Sequence, residues 1–396
     1  MNNTFSIKGK LMSNFIVNPF QFEGIVTGQD FCKRDDDVNN LLEYMHSSNN
    51  VIISMKRRVG KTSLIKEMFE NHIKDKKLIA GYVDIYGITS VKELYIALKE
   101  EVESLLNLSS TIGIEAQRVK DAFSEANISL TLSSSPKFSV EFSGNSYEVL
   151  IKKLFVSLQE YAVKNNLKFV FAIDEFQKIT SLNEKDMEKI ETNIRTAMQA
   201  CRNISFIISG SNQTMLDSMF KERRPLYRQG VHYTLNPIDA KDFYKWATEK
   251  FKRKEITIEK DAFAYIYKLA NTEAKIVQQI CFELFRQTKQ LENIKVEDVC
   301  EIVKKIYKNN SEIASKFNNL KLNEQKMLKV VALETEYGIT VSPLLSEYDI
   351  NHGSVSNTLK KMVEKYVLIK HDTANYEIVD TELRLWILVS KNSLCA

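Results

Sequence analysis

The stretch Val51 to Met68, VIISMKRRVGKTSLIKEM, constrains the fold more than any other part of the chain. Val51 to Ile53 is an apolar run, predicted as a short buried strand. It ends in a tight basic turn, Lys56 to Gly60. Lys61-Thr62-Ser63 then opens an amphipathic helix with Leu64, Ile65 and Met68 on one face. Strand, glycine turn, Lys-Thr and helix, in that order, make a phosphate-binding loop. Free N–H groups at the helix start point at the phosphates, and the helix dipole favours their charge. The expected contacts come from Met55, Lys56, Arg57, Arg58, Val59, Gly60, Lys61, Thr62 and Ser63. Lys61 is expected to reach the β/γ-phosphates and the Thr62 hydroxyl to hold Mg2+. Gly60 lets the backbone turn with no Cβ in the way. Met55 stands where the pattern has its first glycine.

A second half of the site is expected at Phe169-Val-Phe-Ala-Ile-Asp174-Glu175, a continuous apolar run ending in two carboxylates. A strand this apolar suits the centre of a parallel sheet, buried on both faces. Ligands bind where such strands end. Asp174 is expected to help hold Mg2+, and Glu175 to orient or deprotonate an attacking water. Alone the run is a weak signal. It gains force from the phosphate loop about 110 residues upstream and the alternating strands and helices between. Ile204 to Ser209 is the next apolar strand. Ser209, Ser211 and Asn212 at its end are candidates to sense the γ-phosphate or the water, against a plain Gly-Ser-Asn turn. The basic loop Met219 to Arg228 offers Arg223, Arg224 and Arg228 as candidates to reach a γ-phosphate, in the same subunit or a neighbour's.

The 396 residues are 44% hydrophobic and 27% charged, as in an ordinary globular protein with room for two or three domains. No apolar run approaches the ~20 residues of a membrane span. The start of the chain lacks an apolar signal region, and the five cysteines are scattered without a CxxC pair. A cytoplasmic location with reduced thiols is expected. The expected fold is α/β. Residues 1–17 are a polar tail, and 18–237 a P-loop core with a parallel five-stranded sheet between helices. A β-hairpin is inserted near 128–142, read as a surface ornament. Residues 238–310 form an all-helical lid, in which Lys275 is a candidate second phosphate sensor. Lys308 to Asn319 is linker-like. Residues 320–396 read as a winged helix-turn-helix: helix, helix, turn, helix, hairpin. Its last helix of that series carries Ser354, Ser356, Asn357, Lys360, Lys361 and Lys365. Residues 321–396 nonetheless hold nine Lys+Arg against ten Asp+Glu, a net of −1. DNA affinity depends on neutralising phosphates, so DNA and a protein partner stand as alternatives for this module.

With these residues in view, the chain resembles the archaeal-type P-loop ATPases of the AAA+/STAND superfamily. The resemblance runs from Asn18 to Trp386. Arg57-Arg58-Val-Gly60-Lys61-Thr62-Ser63 is similar to the family's loop, and Ile173-Asp174-Glu175-Phe176-Gln177 to its Walker B strand. Lys33-Arg34-Asp35 stands where the family carries a Gly-Arg-Glu box. Gly210-Ser211 sits at its sensor turn, and Arg224-Pro225-Leu226-Tyr227 is similar to its Pro-Leu-Tyr element. Tyr376 to Trp386 is similar to its C-terminal end. The resemblance implies ATP as cofactor with Mg2+, hydrolysis to ADP and phosphate, and a conformational switch or motor role. Its alternative is a nucleotide-gated DNA- or protein-binding module with little hydrolysis. An arginine finger would imply a homo-oligomer. Arg228-Gln229 replaces the family's Gly-Arg, so the finger is not fixed; Arg224 is carried in the catalytic set with Lys61, Glu175, Ser211 and Asn212. Thr272-Glu-Ala-Lys-Ile replaces the family's lid motif, which weakens Lys275 as a sensor.

Overall fold

A computed structural model describes residues 16–55, 58–111, 129–132, 138–141, 146–334, 337–371 and 375–394. Lys56 and Arg57 of the loop, the hairpin's turn and most of the polar tail lie outside the described residues. The chain divides into two compact units. One is Ile25–Pro237; the other combines the described residues up to Gly24 with Ile238–Ala396.

The first unit is built on the strands β1 (Val51–Ser54), β2 (Leu78–Asp84), β5 (Lys168–Asp174), β6 (Ile204–Gly210) and β7 (Val231–Tyr233). They form one sheet in the order β2-β5-β6-β1-β7, and each neighbouring pair is parallel. The expected five-stranded parallel sheet is therefore present. Two further strands, β3 (Ser129–Leu132) and β4 (Phe138–Glu141), pair only with each other, antiparallel. The register sets Asp84 beside Asp174 and Ser54 beside Gly210, so these strand ends lie level.

Continuous apolar runs are needed because both faces are covered. Side chains alternate between the faces along each strand. Phe169, Phe171 and Ile173 of β5, with Phe206 and Ile208 of β6, join one core cluster. That cluster takes in α3 (Val91–Thr111), α4 (Tyr147–Lys164) and α5 (Glu184–Ala200). Val170 and Ala172, with Ile207, face the other cluster, shared with α1 (Asp35–His46) and α2 (Lys61–Glu67). A shorter helix, α6 (Gln213–Met219), follows β6.

In the second unit, α7 (Ala240–Phe251), α8 (Lys260–Leu269), α9 (Ala274–Gln287) and α10 (Val296–Tyr307) account for the expected lid helices. This stretch is not purely helical: β8 (Thr257–Ile258) and β9 (Asn293–Ile294) make a two-residue parallel pair. Phe20 packs at 4.8 Å from Phe251 and 5.7 Å from Trp246, so the segment after the tail is part of this core. The linker-like stretch contains a helix, α11 (Ser311–Asn318). Asn310 caps it, and Ile313 and Phe317, four residues apart, bury one stripe. Phe317 meets Trp386 at 5.2 Å.

The last residues give α12 (Leu322–Leu333), α13 (Leu344–Glu347) and α14 (His352–Glu364). The antiparallel strands β10 (Leu368–Lys370) and β11 (Tyr376–Ile378) follow, then α15 (Thr381–Ser390). Polar contacts join α15 and β11 to the turn between α8 and α9. Thr381 donates to Glu273 at 2.5 Å, Asn271 to Glu377 at 2.6 Å, and Arg384 to the Leu269 carbonyl at 2.9 Å. Cys32, Cys201 and Cys281 are buried free thiols, whereas Cys300 is disulfide-bonded, a departure from the expected reduced state. Among the described residues no helix is long and apolar enough to cross a membrane.

Candidate nucleotide-binding site

The phosphate loop leaves β1 and enters α2 through Gly60, whose φ of 92° lies in the left-handed region. A Cβ there would meet no atom within 4 Å, so glycine is required by the backbone angle and not by space. Arg58 also has a positive φ, 67°. Met55 packs its side chain against the α1–α2 core cluster, and its carbonyl accepts a hydrogen bond from Lys61 Nζ at 3.0 Å. Lys61 is buried at the start of α2. The Ser63 hydroxyl accepts the Val26 N–H at 3.0 Å.

The fold brings the two distant motifs together. Thr62 Oγ1 donates to Asp174 Oδ2 at 2.7 Å. Asp174 is buried and accepts three more bonds: Tyr82 OH at 2.9 Å, Ser209 Oγ at 2.6 Å and the Glu175 N–H at 2.9 Å. Burial, then the adjacent Asp174 charge, pushes the Tyr82 phenol far above its ordinary pKa, so it stays a donor. Glu175 follows the strand with φ 57°, an uncommon conformation for a non-glycine residue, of the kind found at functional sites. Its Oε2 accepts Gln177 Nε2 at 2.5 Å and Ser211 Oγ at 2.8 Å. Gly210 makes room for this: a Cβ there would come within 2.1 Å of Gln177 Oε1.

The site residues predicted from sequence thus divide. Thr62, Asp174, Glu175 and Ser211 converge through direct or shared hydrogen bonds, and Lys61 stands beside Thr62 at the start of α2. Ser209, an open candidate for the sensor, binds Asp174, while Asn212 accepts from Met215 N at 3.1 Å as the cap of α6. Arg224 donates to Glu191, a carboxylate of α5 with no exposed surface. Burial raises the Glu191 pKa, and Arg224 opposes that rise. Arg195, Arg223 and Arg224, with Thr192, Pro225 and Tyr227, line a pocket of about 360 Å³. Glu191 is buried but Arg224 is half-buried, so leaving the carboxylate without its partner costs about 1–3 kcal/mol. Arg224→Ala alone is therefore expected to lower stability in a denaturant melt by about that amount. Adding Glu191→Leu is expected to recover most of it. A single variant of undiminished stability would show that the pair carries no structural weight.

Three residues to which sequence reading gave no role at the site support it. Tyr82 and Gln177 are described above. Arg34, also buried, donates to the Val59 carbonyl of the loop at 3.3 Å and to the Asn236 carbonyl, and pairs with Asp37 at 3.0 Å. Burial lowers its pKa, and Asp37 works against that. Arg34 and Gln177 left a sequence signal, in the box before α1 and in the Walker B stretch; Tyr82 left none.

The donor set fits a nucleotide with a divalent cation. A helix start with a left-handed glycine suits phosphate. A hydroxyl against a carboxylate suits a hard cation. Ser54 Oγ, buried at the end of β1, has no hydrogen-bond partner. Among the described residues there is no cluster of three or more His, Cys, Asp or Glu that would hold a metal by itself.

Comparison with known proteins gives a family and a fold. The model of a family described as an ATPase domain predominantly from Archaea matches residues 31–280. No curated protein matches the sequence. The fold is similar to that of a Walker-type ATPase of Pyrococcus abyssi, with a TM-score of 0.64 at 14% identity, over 93% of this chain and 99% of that one. It is also similar to the ORC2 protein of Aeropyrum pernix in its ADPNP–ADP complexes, with a TM-score of 0.54 at 14% identity, over 95% of this chain and 98% of that one.

Proposed function

The chain belongs to the family of ATPase domains found predominantly in Archaea, and from that premise we propose that it binds Mg-ATP and hydrolyses it, acting as a conformational switch or motor. The observation that carries the reading is the 2.7 Å bond from Thr62 to Asp174, which joins loop and carboxylate strand at one point. The α2 N-terminus and Lys61 bind the phosphates. Thr62 and Asp174 hold Mg2+, which offsets phosphate charge and supplies electrostatic stabilisation. Glu175, oriented by Gln177 and Ser211, positions a water and accepts its proton. The ADPNP and ADP bound by the Aeropyrum pernix protein of similar fold support a nucleotide ligand.

The pairing of Arg224 with Glu191 favours a second form of this reading, in which the lone chain turns over slowly and its output is gated binding. An arginine finger contributes about 10³–10⁵ in rate, and Arg224 held by Glu191 is turned away from that task. We read the C-terminal helices and hairpin as a winged helix that contacts protein in preference to DNA. Lys365 is paired with Glu324 at 2.5 Å and Lys360 with Glu364 at 4.0 Å, which leaves α14 less charge for phosphates. The test is phosphate release per chain across a range of protein concentrations with Mg-ATP in excess. A rate per chain that climbs with concentration supports an ATPase completed by self-association. A flat, near-zero rate alongside ATP-dependent retention of a partner supports the gated binder. Absence of nucleotide binding at every concentration sinks both.

A further inference from the structure

The Asp174 carboxylate accepts four hydrogen bonds. Thr62 at 2.7 Å and Tyr82 at 2.9 Å share Oδ2; Ser209 at 2.6 Å and the Glu175 N–H at 2.9 Å share Oδ1. An ionised carboxylate has about four lone-pair sites, so this one has no acceptor capacity left for a cation or for water carried by it. One donor must let go when a metal loads. The Glu175 N–H is backbone, and Ser209 has no exposed surface. Thr62 is tethered at the start of α2 and can keep its proton on Asp174 while its own oxygen turns to a cation. Tyr82 is different. It sits on β2, at the edge of the sheet, and is only half-buried. The Lys66 ammonium lies 4.1 Å from its ring centroid.

We propose that Tyr82 is a latch on the metal-holding carboxylate: its hydroxyl occupies the position on Asp174 Oδ2 that a divalent cation or its water takes, and it releases when the cation arrives. Tyr82 is thus a positioning residue that sets how much Mg2+ the site needs. The inference rests on the reading of Asp174 as a metal-holding group.

The test is an equilibrium Mg2+ titration of a bound fluorescent ATP analogue on the full chain, for the wild type, Tyr82→Phe and Asp174→Asn. Tyr82→Phe removes one competing hydrogen bond, worth about 1 kcal/mol. It is expected to reach half-saturation at about fivefold lower Mg2+ than the wild type. The wild type is also expected to give a tyrosine ultraviolet difference signal when Mg2+ joins the bound nucleotide, absent in Tyr82→Phe. An unchanged Mg2+ requirement in a folded Tyr82→Phe overturns the latch. So does a higher one, which would mean that Tyr82 prepares Asp174 for the cation. Should that variant not fold, the wild-type signal decides, and its absence overturns the latch. If Asp174→Asn shares the wild-type Mg2+ dependence, the failure lies in the assignment of Asp174 itself.

Discussion

Glu175→Gln is expected to leave ATP binding intact and to slow phosphate release by about 10²–10⁴-fold, the contribution typical of a general base. The amide has the size of the carboxylate and sits at the end of β5, so the fold has no reason to change. One carboxylate oxygen is fixed by Gln177 at 2.5 Å and Ser211 at 2.8 Å, which holds the group at a set angle from the backbone. What the substitution removes is the ability to take a proton. Binding is read from a fluorescent ATP analogue and turnover from phosphate release on the same preparation. A variant that hydrolyses at the wild-type rate would remove Glu175 from the mechanism and point to another proton acceptor. Loss of binding along with turnover would instead assign Glu175 to holding the nucleotide.

The second large effect is expected from Lys61→Ala. Lys61 is buried at the head of α2, with Nζ on the Met55 carbonyl at 3.0 Å. Hydrogen bonds to charged groups are worth about 1.5–3 kcal/mol each. Two such bonds to phosphate oxygens predict ATP binding on the order of 10²–10⁴-fold weaker, with turnover lost at ordinary ATP concentrations. Alanine is a good helix former, so α2 should persist and the thermal midpoint without nucleotide should change little. A Lys61→Ala protein that still binds and hydrolyses ATP would place the nucleotide elsewhere. Glu175→Gln separates chemistry from binding, while Lys61→Ala removes both.

Much of this site was legible in the chain because its signals are local. A glycine before Lys-Thr at a helix start needs only three adjacent residues to be recognised, and Gly60 adopts the left-handed angle that only glycine takes without strain. The buried strands were legible for the same reason. When both faces of a parallel sheet are covered, every position must be apolar, and Phe169 to Ile173 obeys that at each step. Short or interrupted elements were harder. β8 and β9 have two residues each, too few for any period to show. The α11 segment is polar on most of its surface and is held by only Ile313 and Phe317.

The sequence by itself determined that a phosphate loop heads a helix and that a carboxylate pair ends an apolar strand, because each is written in contiguous residues under fixed backbone rules. Tertiary structure alone decided which groups meet. Thr62 touches Asp174 only because the sheet order sets β6 beside β1 and β5 beside β6. Tyr82 reaches the same carboxylate because β2 pairs with β5 in a register that levels Asp84 with Asp174. Arg224, one of several arginines in a basic loop, is committed to Glu191 because α5 buries that carboxylate beneath it. Contacts of this kind depend on strand order and register, which residues far apart in sequence fix jointly and no single stretch encodes.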